Sequence, residues 1–216
     1  MSLSPLRRTE PARIDIPRAS FPGRTAPEEP GVYRTAADAL DTLGRRLALA
    51  GKRDRALTVS REAVAMHRRL AEADPADFGP GPAEALHGLA AQLPAADRDE
   101  ALALAEEAVV ILRAYANGDP ATHQPGLAGS LHLYGGLLVR ADERDRGLEV
   151  IRDVVERYRS LAEATPGRFD TSLARSPSDL GEGLGDARRY EEALTAHEAA
   201  VDVYQKQAQL LDDLGH

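Results

Sequence analysis

Six histidines and several adjacent pairs of carboxylates are the side chains in this sequence with the greatest capacity for chemistry. Imidazoles bind zinc from a helix when two of them are four residues apart, as in the HExxH motif, and no such pair occurs here. Carboxylate pairs such as Glu106-Glu107 and Glu191-Glu192 are expected on solvated helix faces. No spacing of Ser, His and Asp indicates a nucleophile with its base. The residues therefore predict neither a metal site nor a catalytic site, and an enzyme is not expected.

The glycine-rich stretch GEGLG, from Gly181 to Gly185, is superficially similar to a phosphate-binding loop. Such a loop follows a strand, whereas no strand precedes this stretch, which lies in a segment with a helical pattern. The chain has no cysteine, so disulfides and thiolate metal ligands are excluded. No cofactor is expected.

The composition is that of packed helices, with 43% hydrophobic residues, only 4% aromatic residues and no Trp. The net charge of −8 argues against binding to nucleic acid or to an anionic membrane. No apolar run approaches the ~20 residues that span a bilayer. Arg7-Arg8 is not followed by the apolar segment of an export signal. A soluble cytoplasmic protein is expected.

Residues 1–31 are predicted to form a flexible tail, because they contain six of the 14 prolines. The first 24 residues carry five Arg against Glu10 and Asp15, which makes a basic arm on an acidic body. An alternative is that the tail docks on its own domain through Ile14, Ile16 and Phe21. In that case it would occupy an acidic groove and exclude ligands.

From about Thr35 onward the sequence repeats itself every 45 or 46 residues. Three columns each hold one residue type in all four repeats: Leu47, Leu93, Leu138 and Leu184; Leu57, Leu102, Leu148 and Leu194; Val64, Val109, Val155 and Val201. In each repeat an apolar stripe with helical spacing predicts a helix A of about 14 residues and a helix B of about 20 residues. An Asp-Pro or Thr-Pro pair then ends helix B, and Phe78, His123 or Phe169 is expected to fill the gap that follows.

One such hairpin cannot bury its apolar stripe alone, so the hairpins are expected to stack into a curved array. The predicted fold is all-α, a right-handed α-solenoid of about four hairpins over residues 35–214. Its units are about 35–79, 80–124, 125–170 and 171–214.

These features resemble the tetratricopeptide repeat, in the elongated form of kinesin-light-chain-like and actinobacterial arrays. In the first unit, ALDTLGRRLALAGKRDRAL, the resemblance rests on Leu43-Gly44, Leu47, Gly51 and Ala56. The small residue early in helix B recurs as Ala56, Ala101, Gly147 and Ala193, and it allows helix B to approach helix A closely. A HEAT-like array has a similar period and is the alternative fold. Pro94 and Pro177 depart from the pattern, and Pro177 predicts a short helix A in unit four.

The resemblance implies that the protein binds a protein or peptide in the groove lined by the A helices. The residues that it places on this face are Asp38, Asp41, Arg45, Glu84, His87, His132, Arg140, Arg175 and Glu182. His87 and His132 share a register in adjacent repeats. They are either ordinary polar residues of the groove or a pair of donors for an acidic or C-terminal group, with Arg140 nearby. In the second case binding would depend on pH.

The end of the chain suggests a second surface, because Leu210, Leu211 and Leu214 have no following helix to cover them. They are expected either to pack back on unit four or to form a homodimer contact.

Three functions follow in order: a peptide-binding scaffold or sensor, a self-assembling structural protein that uses this C-terminal helix, and an enzyme. Only isolated histidines and carboxylates support the enzyme hypothesis.

Overall fold

The computed structural model describes residues 30–164 and, further along the chain, residues 189–191, 193, 194, 197, 198, 201, 205 and 209. Within these residues there are helices and turns and no strand. The helices are α1 (Pro30–Leu49), α2 (Arg53–Ala73), α3 (Pro75–Phe78), α4 (Gly81–Gln92), α5 (Arg98–Ala116), α6 (Pro120–Arg140) and α7 (Arg144–Ala164), with a 3-10 turn at Ala95–Asp97. The described residues from 190 to 209 are helical as well. The predicted all-α class is confirmed.

The long helices form three hairpins that stack in chain order. Within a hairpin, helix A packs on helix B: α1 on α2, α4 on α5 and α6 on α7. Between hairpins, each later helix A packs on the preceding helix B: α4 on α2 and α6 on α5. Ala193, in the helical segment from residue 190, packs on Leu148 and Ile151 of α7 and so begins a fourth helix B. Each hairpin therefore packs mainly on its neighbours, which is the arrangement of a helical-repeat solenoid.

Each Asp-Pro pair begins a helix, and the first pair also ends the long helix α2, whereas α5 already ends at Ala116. Asp74 ends α2, and its carboxylate accepts hydrogen bonds from the backbone N–H groups of Ala76 and Asp77 at 3.0 and 3.2 Å. Asp119 accepts one from the N–H of Thr122 at 3.3 Å at the start of α6. The proline that follows each Asp lacks only an N–H that would have no partner within the helix. The first pair therefore starts the short α3, which leads into the second hairpin, and the second pair starts the third hairpin.

The A helices differ from the predicted length of about 14 residues, and α6 is longer because its cap, Asp119, lies upstream of the predicted start. α1 has 20 residues and begins at Pro30, so the predicted tail of residues 1–31 overlaps a helix. α6 has 21 residues, and the boundary predicted between residues 124 and 125 lies inside it. α4 has only 12 residues, and the four-residue α3 precedes it. The tail residues Ile14, Ile16 and Phe21 lie outside the described residues.

A tyrosine contributes to the gap between hairpins for which Phe78, His123 and Phe169 were predicted. Phe78 and His123 are half-buried, and Phe169 lies outside the described residues. Tyr115, near the end of α5, packs its ring edge-on against His123 with 5.8 Å between the ring centroids. The gap between the second and third hairpins is thus filled from the end of the preceding helix as well as from the residues next to the proline.

The small residue early in helix B is buried wherever it is described: Ala56, Ala101, Gly147 and Ala193. The approach is close in the third hairpin, where a Cβ atom built on Gly147 would lie 2.8 Å from the carbonyl oxygen of Gly135. Helices α6 and α7 therefore cross almost backbone to backbone, and only glycine fits at this crossing.

Ion pairs join each helix B to the next. Arg61 of α2 contacts Glu100 of α5 at 3.1 Å, and Arg68 of α2 contacts Glu107 of α5 at 2.6 Å. Between α5 and α7 the charges are reversed, since Glu106 accepts from Arg146 at 3.3 Å. All these side chains are at least partly exposed, so each pair contributes modestly and is weakened by salt.

Candidate functional site

Three of the predicted groove residues occupy one register on successive A helices. Asp41 of α1, His87 of α4 and His132 of α6 are 46 and 45 residues apart, as are Leu47, Leu93 and Leu138. All three side chains are half-buried. Helices α1 and α4 contact each other, as do α4 and α6, so the three positions follow one another across the array. We call Asp41, His87 and His132 the polar row.

The other predicted residues flank this row or cannot be placed. Asp38 and Glu84 share the register one turn before the row, and both are exposed. Arg45 and Arg140 are exposed further along α1 and α6. Asp38 makes an exposed ion pair with Arg34 at 4.0 Å. Arg175 and Glu182 lie outside the described residues.

His87 is held in a neutral form by its surroundings. Burial lowers the pKa of its imidazole, and the neighbouring His132 lowers it further. Its Nδ1 atom lies 3.4 Å from the hydroxyl oxygen of Ser130, a buried residue of α6. The two histidines are therefore close enough to interact, and a proton on His87 is disfavoured unless an anion accompanies it.

Asp41 already has a partner, which sequence reasoning missed. His67 of α2 is buried, and its Nε2 atom lies 3.0 Å from Oδ2 of Asp41 and 3.8 Å from Oδ1 of Asp38. On the other side of the ring, a Cβ atom built on Gly81 would lie 3.0 Å from Nδ1. The carboxylate of Asp41 in the first unit is therefore held in one orientation by the buried His67.

The repeat register contained a signal for this contact. His67 has the same register as Leu112 and Tyr158, which are buried in the apolar core. A polar side chain at a core position needs a hydrogen-bonding partner, because an unpaired buried polar group is costly. Asp41 and Asp38 were the carboxylates within reach on the adjoining helix.

The arrangement can supply hydrogen bonds and charge, but it does not form a recognisable catalytic group. Carboxylates dominate the face at the first unit, at Asp38 and Asp41, whereas His132 and Arg140 lie at the third. In the part of the chain that the structure describes, no group of three or more His, Asp or Glu side chains is placed to hold a metal ion. Among the same residues, no helix is both long enough and apolar enough to cross a membrane.

Comparison with known proteins identifies the repeat. The tetratricopeptide-repeat family profile matches residues 36–77, which include most of α1 and all of α2. No curated protein matches the chain.

Two crystal structures of nearly identical TPR-like repeats, from a kinesin-light-chain-like protein of Podosopora anserina, are similar in fold. The first has a TM-score of 0.51 and 16% identity, and it covers 82% of this chain and 98% of the other. The second has a TM-score of 0.50 and 17% identity, and it covers 84% of this chain and 99% of the other. Both comparisons favour tetratricopeptide repeats over the HEAT-like alternative. Residues 36–77 are accordingly a tetratricopeptide repeat, and the chain has the fold of a tetratricopeptide-like helical array.

Proposed function

We propose that this protein binds another protein or a peptide across the polar row and that it acts as a scaffold or sensor rather than as an enzyme. The observation that carries the proposal is the row itself: three successive A helices each place a polar, half-buried side chain at the same register. Tetratricopeptide repeats generally mediate protein–protein interactions, so the fold supports a binding role of this kind.

The spacing of the helices suits an extended ligand. Packed helices lie roughly 8–10 Å apart, and an extended chain advances ~3.3 Å per residue. A ligand that runs across the A helices would therefore meet a residue of the row about every third position. Specificity would come from a few polar contacts on a preformed surface, which costs little conformational entropy on binding.

The charges favour one polarity for this ligand. At the first unit, Asp41 and Asp38 suit a basic or donor group. At the third, His132 and Arg140, together with the neighbouring His87, suit an acidic side chain or a C-terminal carboxylate. Because burial and His132 lower the pKa of His87, an anionic ligand would favour its protonation, and binding would strengthen as the pH falls.

The test is capture of partners from host lysate by the intact protein and by a triple variant, His87→Ala, His132→Ala and Arg140→Glu. A control variant, Arg113→Glu, makes the same charge change on an exposed residue of α5. Thermal melts would verify that all three proteins are folded. A partner that is retained by the control and lost by the triple variant would support the proposal. Capture of the same proteins by all three, or binding that is flat between about pH 5.5 and 8, would contradict it.

The alternative, self-assembly through the C-terminal helix, named Leu210, Leu211 and Leu214 as the contact. These residues lie outside the described part of the chain. Described residues nearer the start of that helix bear on the same question, and they point to a more specific form of association.

A further inference from the structure

The outer face of α1 is exposed at positions that are buried in the later A helices. Leu43 is 45% exposed, whereas the residues of the same register are Leu89 in α4 and Tyr134 in α6, which are 2% and 6% exposed. Ala39 is likewise exposed, and its equivalents Ala85 and Ser130 are buried. In α4 and α6 these positions are covered, because each of these helices packs on the preceding helix B.

Val32 extends this face by about two turns beyond Ala39. Val32, Ala36, Ala39 and Leu43 are spaced four, three and four residues apart, so they form one apolar stripe along α1. Val32 is 60% exposed. We call these four residues the leading face.

The last helix B has the complementary arrangement. Leu194 and Val201 are 55% and 51% exposed. Their equivalents in α7, Leu148 and Val155, are buried in a cluster with Ala193 of the following unit. In α2 the equivalents Leu57 and Val64 pack into the core shared with α4 and α5. These two columns therefore bury their side chains on the next unit, and we call Leu194 and Val201 the trailing face.

The ion pairs between the B helices indicate what fits between the two faces. Arg61 of the first unit pairs with Glu100 of the second. The residues of the same two registers one unit later, Glu106 and Arg146, also pair, with the charges reversed. The same two columns leave Glu198 on the last helix B and Arg55 on the first. Both side chains are exposed and their charges are opposite. If the array continued from one copy into the next, Glu198 and Arg55 would occupy the positions of the next pair.

We propose that two copies of this protein associate head to tail, with the trailing face of one copy packed on the leading face of the other. Leu194 and Val201 cover the stripe from Val32 to Leu43, and Glu198 pairs with Arg55 of the other copy. The junction repeats the contact that α2 makes with α4 inside one chain. Because the two faces differ, the contact is heterologous and leaves one free face at each end, so association extends with concentration.

The test uses the full chain and two variants that each block one face, Leu43→Glu and Val201→Glu. The wild-type protein is expected to gain mass with concentration in sedimentation equilibrium, and each variant alone is expected to remain monomeric. A mixture of the two variants retains one intact leading face and one intact trailing face. It is expected to form one-to-one dimers that do not grow further.

A charge exchange at the junction tests the register without altering the apolar faces. Arg55→Glu and Glu198→Arg are each expected to weaken association several-fold, and the two changes combined in one chain should restore it. This set remains informative if Leu43→Glu or Val201→Glu impairs folding, which circular dichroism would detect.

Several outcomes would overturn the proposal. One is a wild-type protein that is monomeric at every concentration. Another is a mixture of the blocked variants that stays monomeric, and a third is single blocked variants that associate as the wild type does. If the wild type is monomeric but a chain lacking residues 1–29 associates, the tail rather than a second copy covers α1. The proposal does not depend on the polar row, so the triple groove variant is expected to associate normally.

Discussion

The hydroxyl of Tyr115, near the end of α5, donates a hydrogen bond to the backbone carbonyl of Pro75 at the start of α3, with 2.8 Å between the two oxygens. The bond ties the end of the second hairpin to the segment that follows the first. Tyr115 also lies against Gly79, where a Cβ atom would overlap the tyrosine hydroxyl and approach the Pro75 carbonyl. The break between α3 and α4 is therefore fixed by a side chain from another helix.

Tyr115→Phe is expected to reduce the free energy of unfolding by about 0.5–1.5 kcal/mol, because the ring stays in place and only this hydrogen bond is lost. Urea denaturation would measure the change. Tyr33→Phe on exposed α1 is the matched control and should alter stability by less than about 0.5 kcal/mol. Equal effects of the two substitutions would contradict the assigned role of Tyr115.

Gly147→Ala is expected to destabilise the protein by about 1–3 kcal/mol, because the added Cβ atom would force α6 and α7 apart at their crossing. Gly88 offers a control within a helix, since a Cβ atom there meets nothing within 4 Å. Gly88→Ala should stabilise the protein by about 0.5–1 kcal/mol through helix propensity. Thermal or urea unfolding of both variants distinguishes packing from propensity, and a stabilising Gly147→Ala would show that the crossing tolerates a side chain.

His67→Leu is expected to cost about 1–3 kcal/mol, because it leaves the half-buried Asp41 carboxylate without its partner. Since Leu112 occupies the same register in the next unit, leucine itself suits the position. The double variant His67→Leu, Asp41→Leu should therefore recover much of the loss. Urea denaturation of the two single variants and the double variant measures the coupling. Additive losses would mean that the two side chains contribute independently.

The stability of the protein is expected to fall as the pH is lowered below about 6.5. Burial and His132 lower the pKa of His87 in the folded state, so over this range the unfolded chain binds more protons than the folded one. Protonation therefore favours unfolding, and the contribution of His87 is fully present only at higher pH. His87→Gln should flatten the pH dependence in urea titrations, whereas His197→Gln, at an exposed position, should not. Identical profiles for the two variants would rule out His87 as the cause.

The hairpins and their register could be predicted from the sequence because every unit repeats the same burial requirement. The columns headed by Leu57 and Val64 recur at fixed spacing, since each helix B must bury the same stripe on the next unit. The same register placed His87 beside His132. The start of α6 at Pro120 was predicted less well, because the cap residue Asp119 rather than the apolar stripe determines where that helix begins.

Contacts that do not recur from unit to unit could not be predicted from the sequence repeat. Among the described residues, the pair of His67 and Asp41 lies in the first unit, and the contact of Tyr115 with Pro75 is made from the second. Both depend on how side chains meet across separate helices once the array has packed. A residue that departs from its column, such as His67 among Leu112 and Tyr158, is the sequence signal that such a contact must exist.

The reversal of charge between successive B helices also bears on how the array folds in the correct order. Arg61 of the first unit faces Glu100 of the second, and Glu106 of the second faces Arg146 of the third. If a folding intermediate omitted the second hairpin and packed the third directly on the first, Arg61 would face Arg146. Like charges at a close contact oppose such a misassembly, to which repeat proteins are prone. Side chains that contribute little to the stability of the finished array would thus disfavour this wrong order of hairpins.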